Sequence, residues 1–386
     1  MTGKERIRAA FEHREADRVP LFEQGVASDV ASEILGREAF TGATYLHYQE
    51  AVAWMQGEAA HQEFEQRLKQ DMLDVARALH FDMLSPPWRN SERPAAQLDE
   101  FNFLYGDPNG DYTVQRFDPD AKTFSAAERH YRTPAPETPD ELEPAVEAAE
   151  QSAAQLHMED PRAAYPWHAE MLGQCGNEFE IAGGVGLGIP LDPVWLMACQ
   201  ERPDLVGRWL DARLACVEKE LEAQAALGLW VIWGGGDFAG KGGPIYSPRV
   251  FREIMLPRVQ KLCQRCHQLG QVYVYRTDGN IWPIAHEFFV ESGIDGYGEI
   301  DYAAGMDLDR LKARYGDRIT FWGNVPCGTI LHHGTEEQVV EFTRHIIEVA
   351  APGGGLIVGS SNVIVPGTPA RNVLAMVQTV LDCGRY

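Results

Sequence analysis

Positive charge is scarce in this chain. Of its 386 residues, 34 are Lys or Arg against 57 Asp or Glu, a formal net charge of −23 and a pI near 4.9. A polyanion would be repelled at long range, so neither nucleic acid nor an anionic membrane surface is expected as a partner. Long hydrophobic runs are lacking too: no stretch suffices to span a bilayer. Residues 1–17 form a charged amphipathic segment without a signal-peptide core, so the expected location is the cytoplasm. Cysteine is sparse, odd in number and scattered: the seven are Cys175, Cys199, Cys216, Cys263, Cys266, Cys327 and Cys383, which argues against a disulfide framework. Sequence-local metal spacing is also missing. His332-His333 are adjacent, so their side chains diverge, and the Cys263-x-x-Cys266-His267 string lies within a helical pattern where packing explains it better than haem attachment.

What remains is a composition with 45% hydrophobic and 24% charged residues, suited to a globular protein with a large core and a small-molecule partner. Short apolar runs recur, each ending in polar residues or Gly. They cover 19–22, 81–84, 179–185, 229–233, 272–275, 294–300, 319–322 and 356–358, and helical periodicity separates them. Helices are expected at 4–13, 45–79, 193–227, 248–269, 281–292, 307–315, after Thr335 with its capping-box Gln338, and from Thr368-Pro369 onward. About eight strands each followed by helix give a single (β/α)8 barrel domain spanning the chain, with an N-terminal helical segment. A doubly wound open sheet is the competitor. Closure is preferred because it would gather every polar strand end on one face. Turn-rich residues 99–135 read as a β-hairpin inserted after the second strand, and 138–175 as a helical insertion.

The strand ends supply the candidate chemistry. Residues 272–280, Val-Tyr-Val-Tyr-Arg-Thr-Asp-Gly-Asn, pass from a strand into charged groups where α/β enzymes build sites. Asp278, Arg276, Asp237 and Glu299 are the catalytic candidates, because carboxylates converging on a dry pocket raise one another's pKa and can share acid and base roles. Arg276 could grip a substrate carboxylate or neutralise Asp278. Glu23, Trp88, Asn324, Asn362 and Tyr275 are substrate-binding candidates, with Gln24 and Ser85 at the same strand ends. Each position alone is equally well explained as a loop-capping group. Gly183 to Gly188 lacks the immediate helix of a dinucleotide fold and reads as a close-approach loop. The Gly235 to Lys241 stretch lacks the hydroxyl that a phosphate-cradling loop places after its lysine.

Further segments fall into a recognisable set: the Arg-x-x-Phe-x-His-Arg-x-x-Asp-Arg-Val-Pro run ending at Pro20, Ser247-Pro248 with Pro257, and Asp278-Gly279-Asn280. Gly323-Asn324, Pro352 to Gly355, and Val365 to Pro369 with Asn372, Met376 and Gly384-Arg385-Tyr386 extend it. Together these segments resemble the uroporphyrinogen decarboxylase superfamily. The resemblance implies a TIM barrel and two chemistries: decarboxylation in the haem pathway, or methyl transfer to or from corrinoid proteins. The decarboxylases' Arg-rich motif after the first strand is replaced here by Phe-Glu-Gln-Gly-Val-Ala-Ser-Asp, and their Asp after the second strand by Pro-Pro-Trp. The zinc-dependent methyltransferases' His-x-Cys falls on Arg276 and Asp278, and their last Cys on Asn362, so zinc is not expected. The resulting expectation is a methyltransferase that demethylates a small methoxylated or methylated compound onto a partner corrinoid protein, with carboxylates replacing zinc. A decarboxylase or lyase for a small acid is the alternative, and a non-catalytic ligand-binding barrel the third; a homodimer is the default assembly.

Overall fold

The computed structural model describes residues 1–132 and 134–386. A parallel sheet runs Gly183–Val185, Val231–Gly235, Val272–Arg276, Gly296–Gly298, Thr320–Trp322, Leu356–Ile357 in spatial as well as chain order. Glu180–Ile181 continues the first of these staves and pairs in parallel with Met83–Leu84. Residues 20–22 close the circle. The Phe22 amide donates to the Val358 carbonyl (3.0 Å), the Val358 amide to Pro20 (2.8 Å), and the Asp82 amide to Leu21 (2.8 Å). All eight expected strands are therefore staves of one closed (β/α)8 barrel.

Alternation along each stave sorts its side chains. Phe22, Met83, Ala182, Val231, Trp233, Val274, Trp322 and Ile357 point inward and meet Ile7 and Ala10 of helix Gly3–Phe11, which plugs the N-terminal end of the barrel. Tyr273 and Tyr275 point outward into the layer under the helices. The run ending at Pro20 serves this plug: Arg6 and Arg18 both bond buried Asp82, whose Oδ2 also accepts the Leu21 amide at 2.8 Å. Glu180, two residues before inward Ala182, is buried in the same region, and its Oε2 finds no hydrogen-bond partner among the described residues.

Three expectations about elements change. The inserted hairpin is a four-stranded antiparallel meander, Ala96–Gln97, Asn102–Gly106, Tyr112–Asp118 and Thr123–His130, packed on helix Ala43–Gln56 through Tyr48, Phe103, Phe117 and Phe124. The helix expected over 248–269 is interrupted by a π-turn, Phe251–Met255, before Leu256–Gln268. Pro257 lacks the amide that a regular α-turn would use there. The 281–292 segment forms a 3-10 turn, Trp282–Ile284, and a π-turn, Glu287–Glu291, rather than one regular helix. Cys263 and Cys266 are buried packing residues, and His267 bonds Asp295 at 2.9 Å. Among the described residues no helix is long and apolar enough to cross a membrane.

Candidate active site

The C-terminal stave ends open into a cavity of about 870 Å³. Its floor is polar, formed by Gln24, Asp237, Arg276, Glu299 and Asn362; its walls include Trp233, Pro86, Pro87, Trp88 and Val363 to Pro366. One hydrogen-bonded chain crosses the floor. Arg276 Nη1 donates to Gln24 Oε1 (2.7 Å), which also accepts from Trp233 Nε1 (3.2 Å). Gln24 Nε2 donates to Glu299 Oε1 (2.7 Å) and Asn362 Oδ1 (3.2 Å). Asn362 Nδ2 then donates to Asp278 Oδ2 (2.8 Å), and the Asp278 amide to Asp237 Oδ1 (3.0 Å). Staves one, four, five, six and eight are thus tied together through side chains.

The carboxylates are tuned by this crowding. Burial pushes Asp278 up to about 7, repulsion from Glu299 and Asp237 adds to the rise, and donation from Asn362 opposes it. Burial raises Glu299 as well, against the pull of Arg276, whose Nη1 lies 3.4 Å from Glu299 Oε1, and of Gln24. Glu299 adopts a left-handed backbone (φ 61°), an uncommon conformation for a residue with a side chain. Arg276 Nε is buried and finds no acceptor among the described residues.

Arg276, Asp237, Glu299, Asn362 and Trp88 line this mouth, and Asp278 is joined to it through Asn362 and grouped with Asp237 and Glu299. Three candidates lie elsewhere. Tyr275 belongs to the barrel wall, edge-on to Phe238 and Phe288, because inward Val274 and Arg276 on either side force it outward. Glu23 is only 6% exposed and accepts from the Ser360 amide and hydroxyl, and burial raises its carboxyl to about 8. The adjacent Gln24 faces the cavity instead, an offset of one residue that strand alternation converts into an opposite face. Asn324 is buried beside a separate cavity of about 440 Å³ lined also by Tyr302, Phe342 and His345. The central place of Gln24 has no sequence signal beyond its position at a strand end. Gly183 and Gly184 are the close-approach residues expected: the Gly184 amide and carbonyl both bond the Gln224 side chain, at 2.8 and 2.9 Å.

A zinc ion does not fit the positions that the resemblance assigns to it, since Arg276 places a guanidinium there and Asn362 an amide already engaged with Asp278 and Gln24. Asp237, Asp278 and Glu299 can each aim a carboxylate oxygen to within 4.8 Å of the others, an oxygen-only donor set of the kind hard divalent cations take.

Residues 193–382, which supply Asp237, Arg276, Glu299 and Asn362 to the floor, match the family model for uroporphyrinogen decarboxylase (URO-D). The matched residues, just under half of the chain, are similar to that family's domain. A curated uroporphyrinogen decarboxylase from Azoarcus sp. (strain BH72) is 26% identical over 194 residues, 48% of this chain and 49% of that protein, so the match spans about half of the relative's length. The solved structure of a methyltransferase from Methanosarcina mazei superposes over 99% of both chains with a TM-score of 0.62 at 19% identity, which establishes a shared fold. The matched residues form the C-terminal half of a barrel whose first three staves and inserted meander precede them.

Proposed function

We propose that this protein is a methyltransferase of the superfamily, removing the methyl group of a small methoxylated compound and passing it to a corrinoid carried by a partner protein. The observation that supports this reading is the floor itself: three carboxylates face a single guanidinium already engaged with Gln24 and Glu299. Such a floor suits a neutral substrate better than one with many carboxylates. The residues bind the compound between Trp233 and the proline-rich wall, with its ether oxygen toward Asp278. When the methyl carbon–oxygen bond breaks, the electron pair stays on oxygen, and the Asp278 carboxyl gives its proton to form the hydroxyl product. Asn362 aims that carboxyl, and burial, with repulsion from Glu299 and Asp237, raises it to about 7, so that about half of it carries the proton at neutral pH. The test is release of 2-methoxyphenol from 1,2-dimethoxybenzene in the presence of a reduced corrinoid protein. Asp278→Asn should lower the rate by about 10²-fold or more, the usual contribution of a positioned acid. No phenol from any methoxyarene would sink the proposal.

A second reading, decarboxylation of a small acid, is favoured by Arg276, a cavity-lining guanidinium whose buried Nε has no acceptor among the described residues. It requires substrate-dependent CO2 release that is lost in Arg276→Leu.

A further inference from the structure

The cavity wall from stave two is made by residues 85–88, the start of a segment, 85–94, that has no regular secondary structure and holds Pro86, Pro87 and Pro94. Trp88 lines the cavity from this segment yet is 80% exposed, so packing on the barrel does little to hold it. Its attachment comes from elsewhere. His47 Nε2 lies 3.2 Å from the Trp88 carbonyl with the two rings 5.0 Å apart, and Trp54 Nε1 donates to the Ser91 carbonyl at 3.2 Å. The strongest tie is the next residue: Arg89 donates to Glu50 Oε1 (2.9 Å) on helix Ala43–Gln56 and to Glu65 Oε1 (2.5 Å) on helix Glu58–Ala78. Glu50 is fully buried, its Oε1 is shared with His61 Nε2 at 3.0 Å, and its Oε2 finds no partner among the described residues. A buried carboxylate with so few donors holds its one guanidinium strongly, because releasing it would leave an uncompensated charge. His61 is in turn fixed by stacking on Trp54, at 3.5 Å between ring centroids.

We propose that Arg89 is a positioning residue for the active site: its pairing with Glu50 and Glu65 sets the 85–94 segment so that Trp88 stands at the cavity mouth and forms one side of the substrate's aromatic slot. Arg89 itself does not line the cavity. It acts through the residue before it, by a contact with helices outside the (β/α)8 wall. Substrate fit is thereby coupled to the helical layer rather than to the barrel floor. The substrate part of this inference rests on the methoxyarene reading above; the part concerning the segment does not.

The test uses the full-length protein. In Arg89→Ala, hydrogen exchange of amides in 85–94 should quicken by about tenfold while the helices at 43–78 keep their protection. Because Arg89→Ala alone strands the Glu50 carboxylate, Glu50→Gln/Arg89→Ala is measured beside it and should show the same local effect; Arg89→Lys should restore part of the protection. With 1,2-dimethoxybenzene as probe, KM should rise about tenfold with kcat changed by less than about twofold, and the rise should vanish in a Trp88→Ala background. Unchanged exchange at 85–94, or loss of protection throughout 43–78 in the double variant, would overturn the proposal, as would an Arg89 effect on KM that persists without Trp88. If wild-type protein does not turn over the probe, the function reading fails and the exchange data alone decide the positioning role.

Discussion

Glu180 gives a test of the barrel that needs no substrate. Burial pushes its carboxyl from the ordinary 4.5 up to about 7, with Lys4 and Arg8 of the plug helix only partly offsetting the rise. A carboxyl whose folded pKa lies above its unfolded value favours the folded state while protonated. Its penalty is therefore small below the unfolded pKa and grows as pH rises, reaching its full size above about 7. A rise from 4.5 to about 7 corresponds to a penalty of about 3 kcal/mol above pH 8, against less than about 1 kcal/mol at pH 5. Glu180→Gln keeps the shape and removes the titration. Urea unfolding of both proteins at pH 5 and pH 8 should show the variant gaining about 2.5 kcal/mol on wild type between the two conditions. Any constant cost of burying the amide cancels in that difference. A stability difference between the two proteins that is the same at both pH values would refute the reasoning.

At the active site, a proton donor at Asp278 with a pKa of about 7 predicts that kcat for 1,2-dimethoxybenzene falls as pH rises above about 7, and Glu299→Gln should move that limb downward by relieving repulsion. Gln24→Leu removes the junction joining Arg276, Glu299, Trp233 and Asn362. Turnover should fall by at least about tenfold, with the melting temperature changing by only a few degrees, as checked by kinetics and calorimetry. Gly183→Ala would place a methyl carbon 2.0 Å from Gln224 Oε1 and 3.1 Å from Ile232 Cδ1. It should destabilise the protein by about 1–3 kcal/mol in urea unfolding, and Gln224→Ala should recover part of that loss.

The staves were legible because strands buried on both faces read as short, mostly apolar runs, and here each run ends at Gly or a polar residue. Residues 272–276 show the limit of that signal. Val, Tyr, Val, Tyr and Arg alternate inward and outward, but inside and outside are both apolar until the stave ends, so sequence alone could not tell that Arg276 faces the cavity and Tyr275 the helices. The same one-residue ambiguity separates Glu23 from Gln24. The extent of the meander was hidden for another reason. Ala96–Gln97 is a two-residue strand that pairs only with Asn102–Gly106, too short to carry a pattern. Pro257 was visible in the sequence, but its effect on the preceding turn depended on whether the helix would kink or widen. Asn324 ends a stave like the other candidates, yet it is buried against the Met306 carbonyl (3.4 Å) beside the neighbouring cavity rather than at the mouth.

The charge balance of the floor connects these details to the proposed chemistry. Arg276 turns Nη1 to Gln24 and Glu299, so part of its charge is already spent on the floor, while its Nε has no acceptor among the described residues. Gln24 matters here because an amide can accept from Arg276 and Trp233 at one end while donating to Glu299 and Asn362 at the other. A glutamate in its place could accept at both ends but donate at neither, adding a fourth negative charge beside Glu299. Through Asn362 the same amide orients the carboxyl of Asp278, which neighbouring charges and burial keep near half protonated at neutral pH. On the proposed reading this is what substitutes for a metal: the positive charge needed on the leaving oxygen comes from a proton that burial, with repulsion between carboxylates, holds on Asp278. A polycarboxylate entering the same cavity would add to that repulsion. It would raise Asp278 further and hold the proton where it cannot be given up.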